Sequence, residues 1–258
     1  MAKKHFGICH LCGINGELTF EHVPPKSAFN DQKVIKGVFD RYANQGPDVE
    51  IKGPQQQSGI GGYTLCGKCN NTTGQWYADN YKEWTYQSVD LILKSKGENI
   101  GSYQFQIYPL RVIKQIICMF FSTNRNDFSK DYPELVRFVL NKEAKFINPY
   151  FKFYAYLTVS NKARFSGEGQ RLSVGEYGIE QKYVFSEISF RPNGYIMTFG
   201  SKSPDERLCD ISFFGGYEYN ELVTINLELT KLPVHIYIPA DFRTKEEIYD
   251  QYQKNIVE

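Results

Sequence analysis

Apolar and polar residues alternate along much of the second half of the chain. Residues 150–159 alternate strictly, which predicts a strand with one apolar face. Similar patterns predict strands at residues 182–191, 194–200, 208–214, 222–230 and 234–238. An Arg-Pro-Asn-Gly turn at 191–194 favours a hairpin, so we expect a mostly antiparallel sheet.

Helical periodicity predominates elsewhere. A predicted helix runs from Asn70 to about Lys94, and a stripe at helical spacing indicates that one face lies in the core. The stripe consists of Tyr77, Tyr81, Trp84, Ser88 and Leu91. A helix from Pro109 is apolar nearly all round, which predicts burial in a core or in a dimer interface. Another begins at Pro133, and a capping box at residues 244–247 opens a last helix. Its inward residues are expected to be Ile248, Tyr249 and Tyr252.

Length and composition indicate a globular protein of one or two domains. The chain has 258 residues, of which 41% are hydrophobic and 23% charged, and these values exclude a disordered chain or a fibre. We predict an N-terminal domain over residues 1–95 and a junction at residues 95–102. Residues 103–258 are predicted to form an α+β accessory domain around a mostly antiparallel sheet.

The sequence contains no candidate membrane segment. Its longest apolar stretch, residues 112–121, is interrupted by Lys114 and Gln115 and is shorter than the roughly 20 apolar residues of a spanning helix. The N-terminus carries lysines without the apolar region of a signal peptide, so a cytoplasmic location is expected.

The net charge of +1 conceals an uneven distribution. Residues 100–165 contain ten Lys and Arg against four Asp and Glu, whereas residues 166–258 contain nine against fifteen. The basic segment either faces a polyanion or packs against the acidic segment, and the sequence leaves both interpretations open. The candidate polyanion contacts are Arg111, Lys114, Arg125, Lys130, Arg137, Lys142 and Lys145.

Four of the six cysteines form two Cys-x-x-Cys pairs, Cys9 with Cys12 and Cys66 with Cys69. In a reducing compartment such pairs are typical of a structural, tetrahedral Zn²⁺ site, because each pair turns two thiolates toward one ion. The other two cysteines lie in apolar or strand-like runs, and we interpret them as small buried residues.

Residues suited to phosphodiester hydrolysis adjoin both pairs. Glu21 and His22 follow the first pair within Glu-His-Val-Pro-Pro, and Asn70 directly follows the second. A neutral histidine can accept a proton from water near pH 7, and carboxylate and amide oxygens are suitable ligands for Mg²⁺ or Mn²⁺. The N-terminus of the predicted helix adds a positive potential that favours a phosphate group.

The order CxxC, EHxxP, CxxCN over residues 6–90 resembles the HNH endonucleases, also called ββα-metal nucleases. The resemblance implies an N-terminal ββα-metal zinc module with His22 as general base. It also implies that Glu21 and Asn70 bind a catalytic Mg²⁺ or Mn²⁺, while the zinc is a scaffold. Asn71 takes the place of Asn70 if the register shifts by one.

Many members of the family carry an Asn shortly before the second cysteine pair, and this Asn orients the base. Residues 61–65 contain none, so a backbone carbonyl or Tyr63 is expected there.

The predicted function is metal-dependent hydrolysis of nucleic acid, DNA in preference to RNA, by an HNH-type endonuclease, with restriction or antiviral defence as the role by analogy. One alternative is a non-catalytic zinc module that binds nucleic acid or protein, which the missing Asn favours. The other is an interaction protein whose activity lies in a partner subunit. A homodimer or a partner subunit is compatible with each of these, and none of them requires a membrane.

Overall fold

The computed structural model of the chain describes residues 4–42, 45–95, 97, 100–175 and 178–250. Its strands are β1 His5–Ile8, β2 Asn15–His22, β3 Val34–Ile35, β4 Gln55–Gln56, β5 Gly61–Cys66, β6 Ile100–Ile107, β7 Phe151–Leu157, β8 Arg164–Gly175, β9 Gly178–Phe190, β10 Asn193–Phe199, β11 Cys209–Asp210 and β12 Val223–Thr230. Its helices are α1 Phe39–Tyr42, α2 Gly67–Thr73, α3 Asp79–Lys94, α4 Pro109–Thr123, α5 Phe128–Asp131 and α6 Pro133–Leu140. A π-helical turn, Gly74–Ala78, joins α2 to α3, Ser212–Gly216 is a 3₁₀ helix, and residues 245–250 are helical.

The first part of the chain forms a three-stranded antiparallel sheet with β2 in the centre, between β1 and β5. α2 begins at the residue that follows β5, so the sheet and the helix are joined without a loop. α2 continues through the π-helical turn into α3 and ends at Lys94. The predicted helix over this region is therefore confirmed, with its start three residues earlier, at Gly67.

Antiparallel pairing also dominates the second half of the chain. β11, β7, β10, β9 and β8 form one sheet in that order, and β6 pairs with β12 in another. The hairpin between β9 and β10 turns at Arg191 and Pro192, as the sequence predicts. The fold is thus a mixture of helices with mostly antiparallel sheets.

Two predicted strands are wrong. Only Cys209–Asp210 of residues 208–214 forms a strand, and a 3₁₀ helix follows. The Asp210 carboxylate accepts from the backbone N of Ser212, and Ser212 Oγ accepts from the backbone N of Phe153, so side chains replace the ladder bonds.

Residues 234–238 likewise form no strand. Their backbone carbonyls accept hydrogen bonds from the side chains of Ser160, Lys162 and Arg164, which occupy the acceptors that a neighbouring strand would need. The structure contains one strand, β8, that the polar, glycine-rich sequence of residues 164–175 does not predict. Another strand, β6, begins at Ile100, within the segment predicted as a junction.

α4 lies at the centre of the core. Twelve of its fifteen residues are buried, and it contacts α3, α6, β5, β8 and β9. The core of this chain therefore buries the helix, which was one of its two predicted environments. The stripe on the preceding helix also faces the core, since Tyr77, Tyr81 and Trp84 are buried. Trp84 Nε1 donates to Tyr195 Oη at 2.8 Å.

The core is continuous from Cys9 to Leu229, across the boundary between the two predicted domains. The division at residues 95–103 stays a prediction. Within the described residues, no helix has the length and apolar character needed to cross a bilayer. The capping box is confirmed, because Thr244 N donates to Glu247 Oε2 and Glu247 N donates to Thr244 Oγ1.

The side chains of the last helix follow the prediction only in part. Ile248 is buried as predicted, whereas Tyr249 is 43% exposed and contacts Asp48 instead of the core. Tyr252 lies outside the described residues.

Several basic side chains between residues 100 and 165 face acidic ones from the second half of the chain. Lys145 pairs with Glu218, Lys152 with Asp210 at 3.3 Å, and Arg164 with Glu187 at 2.7 Å. Lys114 is buried and donates to the carbonyls of Asn141 and Lys142, and its burial lowers the pKa of the amine to about 7. Much of this basic segment therefore packs within the protein.

Candidate metal centre and active site

The Sγ atoms of Cys9, Cys12, Cys66 and Cys69 lie within 4.8 Å of one another. The first two lie in the connection between β1 and β2, Cys66 ends β5, and Cys69 is in the first turn of α2. Zn–S bonds of about 2.3 Å in a tetrahedron separate the sulfurs by about 3.8 Å. The 3.9 Å between the Sγ atoms of Cys12 and Cys66 agrees with that value. The four thiols form a cluster that can hold a metal ion such as zinc.

Hydrogen bonds within the cluster favour a thiolate. A hydrogen bond from the Cys69 thiol lowers the pKa of Cys9 to about 4, and the same contact raises the pKa of Cys69. The backbone N of Cys66 also donates to Cys9 Sγ, at 3.3 Å. Thiolates are the form of cysteine that binds metal ions, so this environment suits a cation.

The cluster joins both sequence motifs to the core. Thr64 Oγ1 donates to Ser122 Oγ at 3.1 Å, and His10 Nδ1 lies 3.2 Å from the carbonyl oxygen of Phe121. Both partners belong to the last turns of α4. The positions of β2 and α2, which carry the other candidate residues, are therefore set by the cysteine cluster and by α4 together.

Glu21 is buried, with 8% of its surface exposed. Burial raises the pKa of this carboxyl group to about 7. Its charge adds to the effect of burial in raising the pKa of the Cys118 thiol, which belongs to α4. Among the described residues, none donates a hydrogen bond to the Glu21 carboxyl group. A buried carboxyl group without a donor favours a bound cation or a proton.

Asn70 is held against β2. Its Nδ2 donates to Thr19 Oγ1 at 3.0 Å and lies 3.3 Å from the Phe20 carbonyl oxygen. Thr19 Oγ1 donates its own proton to the Leu65 carbonyl oxygen, so toward Asn70 it can only accept. The Phe20 carbonyl oxygen also only accepts, and the amide of Asn70 must therefore turn its nitrogen, not its oxygen, toward these two atoms. The Asn70 Oδ1 is left without a donor in the part of the chain that the structure describes.

Asn70 approaches the face of β2 to which Glu21 belongs. Thr19, which Asn70 contacts, and Glu21 are two residues apart on the strand, and such residues point to the same side. Asn71, the alternative ligand, is exposed. The structure thus favours Asn70 over Asn71 as the neighbour of Glu21.

His22 follows Glu21 on β2 and therefore points to the opposite face of the strand, so β2 separates the candidate base from the candidate metal ligands. The Nε2 of His22 lies 2.8 Å from the carbonyl oxygen of Ser58, in the turn before β5. A carbonyl oxygen only accepts, so Nε2 carries the proton and Nδ1 has a free lone pair in the neutral ring. Of the two expected orienting groups, the backbone carbonyl contacts His22, whereas Tyr63 stacks on His5.

Asn30 is a further residue of the site that the sequence did not indicate. It is fully buried, its Nδ2 donates to the carbonyls of Pro24 and Ile60, and its Oδ1 accepts from the backbone N of Ile60. These bonds join the segment after His22 to the turn that contains Ser58. Its partners are not its neighbours in sequence, so no local motif marks it.

Comparisons of the chain with models of protein families, with characterised proteins and with solved structures find no match. The function is therefore inferred from the geometry of the site.

Proposed function

We propose that the protein is a metal-dependent endonuclease of the HNH type. The observation that carries this proposal is the contact of Asn70 with Thr19 and Phe20, the two residues of β2 that precede the buried Glu21. Carboxylate and amide oxygens suit Mg²⁺ or Mn²⁺ better than they suit zinc, whereas the four thiols suit zinc. The proposal therefore requires two chemically distinct metal sites, of which the four thiols form one.

In this proposal Cys9, Cys12, Cys66 and Cys69 hold a structural Zn²⁺ that joins the β2 hairpin to α2. Glu21 and Asn70 would hold Mg²⁺ or Mn²⁺, which supplies positive charge for the developing phosphate oxyanion when it is bound. His22 would accept a proton from the attacking water at Nδ1. Because His22 and Glu21 point to opposite faces of β2, this role requires the water and the phosphate to lie at the end of the strand, where His22 is the last residue. The Ser58 carbonyl keeps the imidazole in that tautomer and orientation.

The proposed substrate is nucleic acid, with DNA favoured over RNA by the resemblance to the HNH motif. The set contains a proton acceptor and ligands for a hard cation but no nucleophile of its own, which suits hydrolysis by an activated water. The choice of a phosphodiester as the bond that is hydrolysed follows from the resemblance to the HNH motif. A cytoplasmic restriction or antiviral role belongs to the same proposal and follows from analogy with the motif.

A non-catalytic zinc module is the second candidate, and the burial of Glu21 favours it. A carboxyl group whose pKa is about 7 is half protonated at neutral pH and is then a poor metal ligand. The two candidates differ in one respect that can be measured: only the nuclease requires that a divalent cation binds at Glu21.

Cleavage of supercoiled plasmid and of a labelled RNA, with and without Mg²⁺ or Mn²⁺, tests the proposal. His22→Ala is expected to lower the rate by about 10²- to 10⁴-fold while zinc content and circular dichroism stay unchanged. His235→Ala is the matched control, since His235 lies in the separate segment 234–238, and it should retain the parent rate. Cleavage by His22→Ala within a few-fold of the parent contradicts the role of His22. No metal-dependent cleavage of either substrate by the parent favours the zinc module.

A further inference from the structure

Four rings form a continuous aromatic surface on the face of the first sheet that carries His22. The rings of His5 and Tyr63 are stacked, with centroids 3.5 Å apart and planes at 13°. Phe20 makes edge contacts with Tyr63 at 5.4 Å and with His22 at 4.9 Å. The surface thus crosses all three strands and ends at the proposed general base.

A β-bulge places Tyr63 on this surface. Leu65 pairs with Thr19 and is fully buried, whereas Tyr63 pairs with Phe20 and is 42% exposed. Without an irregularity, residues two apart on a strand would share a face. The extra residue, Thr64, reverses that relation, so β5 contributes Leu65 to the core and Tyr63 to the aromatic surface.

A cation lies at the edge of the aromatic surface. Lys36 Nζ donates to the carbonyl of Gly61 at 3.1 Å, and Gly61 is the residue opposite His22 in the pairing of β2 with β5. Lys36 is exposed and has no carboxylate partner among the described residues. An ammonium group without a carboxylate partner, near the exposed ring of Tyr63, is complementary to a phosphate and to the flat face of a base.

We infer that this surface binds an unpaired nucleic-acid strand, with one base stacked on Tyr63 and a neighbouring phosphate near Lys36. The inference rests on the proposed nuclease function and adds the substrate class to it. Bases in a duplex are stacked on one another and present only their edges in the grooves, so an aromatic ring face is useful only for a base that is free. His5 covers one face of the Tyr63 ring in a parallel stack, so the base would use the other face of that ring.

Binding of labelled oligonucleotides of twelve nucleotides tests the inference without relying on cleavage. Fluorescence anisotropy is measured for single-stranded DNA, single-stranded RNA and duplex DNA of the same sequence, with Ca²⁺ in place of Mg²⁺. Tyr63→Ala should weaken single-strand binding by about 5- to 150-fold and change duplex binding less than about two-fold. Tyr63→Trp keeps a ring for stacking and should stay within about three-fold of the parent.

Lys36→Gln provides a second, independent variant in case Tyr63→Ala does not fold. It should reduce the log–log salt slope of single-strand binding by about 0.7, the value for one phosphate contact on a single strand. Two results overturn the inference and leave the aromatic surface for a protein partner. In one, Tyr63→Ala loses as much affinity for duplex DNA as for single strands. In the other, it loses affinity for neither single-stranded DNA nor single-stranded RNA. If single-strand binding depends on Tyr63 but no metal-dependent cleavage occurs, the proposed nuclease fails while this surface is confirmed as a nucleic-acid site.

Discussion

His22 Nε2 lies 2.8 Å from the carbonyl oxygen of Ser58, which is 36 residues further along the chain. This contact determines which imidazole nitrogen can accept a proton. It also means that the orientation of His22 depends on the turn before β5, and therefore on the residues that hold this turn in place.

The cysteine cluster is expected to hold one zinc ion per chain. Cys69→Ser should abolish zinc binding and unfold the β1–β2–β5 sheet, because a structural zinc contributes free energy of folding directly. Elemental analysis and thermal unfolding followed by circular dichroism measure both effects. Cys209→Ser is the control, since Cys209 lies outside the cluster, and it should keep the zinc. Folded protein free of zinc would contradict the prediction.

The stability of the protein should depend on pH through Glu21. The pKa of its carboxyl group is about 7 in the folded protein against an ordinary value of 4.5, so the folded state binds more protons between these values. Stability attributable to this group therefore falls as pH rises from about 4.5 to 7, by about 3 kcal/mol in total, and is constant above that range. Glu21→Gln should remove this loss, so the variant should be the more stable protein at pH 8 and close to the parent at pH 4.

Urea unfolding of both proteins at the two pH values measures that difference. If Glu21 also binds a divalent cation, Mg²⁺ at pH 8 should stabilise the parent and have a smaller effect on Glu21→Gln. An equal difference between the two proteins at both pH values would show that the buried carboxyl group does not titrate as described.

Asn70→Ala should impair cleavage most at low Mg²⁺ and recover in part at high Mg²⁺, because the loss of one ligand weakens a site of few protein ligands. Rates measured over a Mg²⁺ titration test this. Asn71→Ala is the matched control, as Asn71 is the exposed neighbour, and it should behave like the parent. A metal-dependent defect in Asn71→Ala, with only a lower melting temperature for Asn70→Ala, would move the ligand by one position.

Asn30→Ala should destabilise the protein by more than about 2 kcal/mol, because it leaves two carbonyls and one N–H without their partner. Asn30→Asp keeps the acceptor for Ile60 N but cannot donate to both carbonyls, so it should also be destabilised. Both variants should lower the cleavage rate under conditions in which they remain folded, since they release the turn that contacts His22. Equilibrium unfolding combined with rate measurements checks this; a parent rate in folded Asn30→Ala would refute the positional role.

The basic segment should contribute to nucleic-acid binding only through its unpaired side chains. Lys130 and Arg137 are exposed and lack ion-pair partners among the described residues, whereas Lys145 pairs with Glu218. Changing Lys130 and Arg137 together to Gln should reduce the log–log salt slope of duplex binding by about 0.9 per lost contact. Lys145→Gln should leave the slope unchanged. An unaltered slope in the double variant would show that this segment serves the acidic part of the chain.

Local patterns in the sequence were sufficient to predict those elements whose own residues supply the apolar face or the turn that forms them. The apolar period of α4, the strict alternation of β7 and the turn at Arg191 and Pro192 each predicted the structure observed. The spacing of the two cysteine pairs likewise predicted a cluster, because each pair brings two thiols together within one turn and the order of motifs brings the pairs together. Glu21 and Asn70 could be named as candidates since both adjoin those pairs.

Tertiary contacts decided the rest. Residues 234–238 have the alternation of a strand, but side chains from residues 160–164 occupy their carbonyls, and β8 forms from an unpatterned sequence because β9 offers it a partner. The proton position on His22, the bonds of Asn30 and the exposure of Tyr63 depend on groups more than 20 residues away or on a bulge between two strands. A hydrogen bond needs two partners at about 3 Å, and only the folded chain determines which distant group occupies that distance.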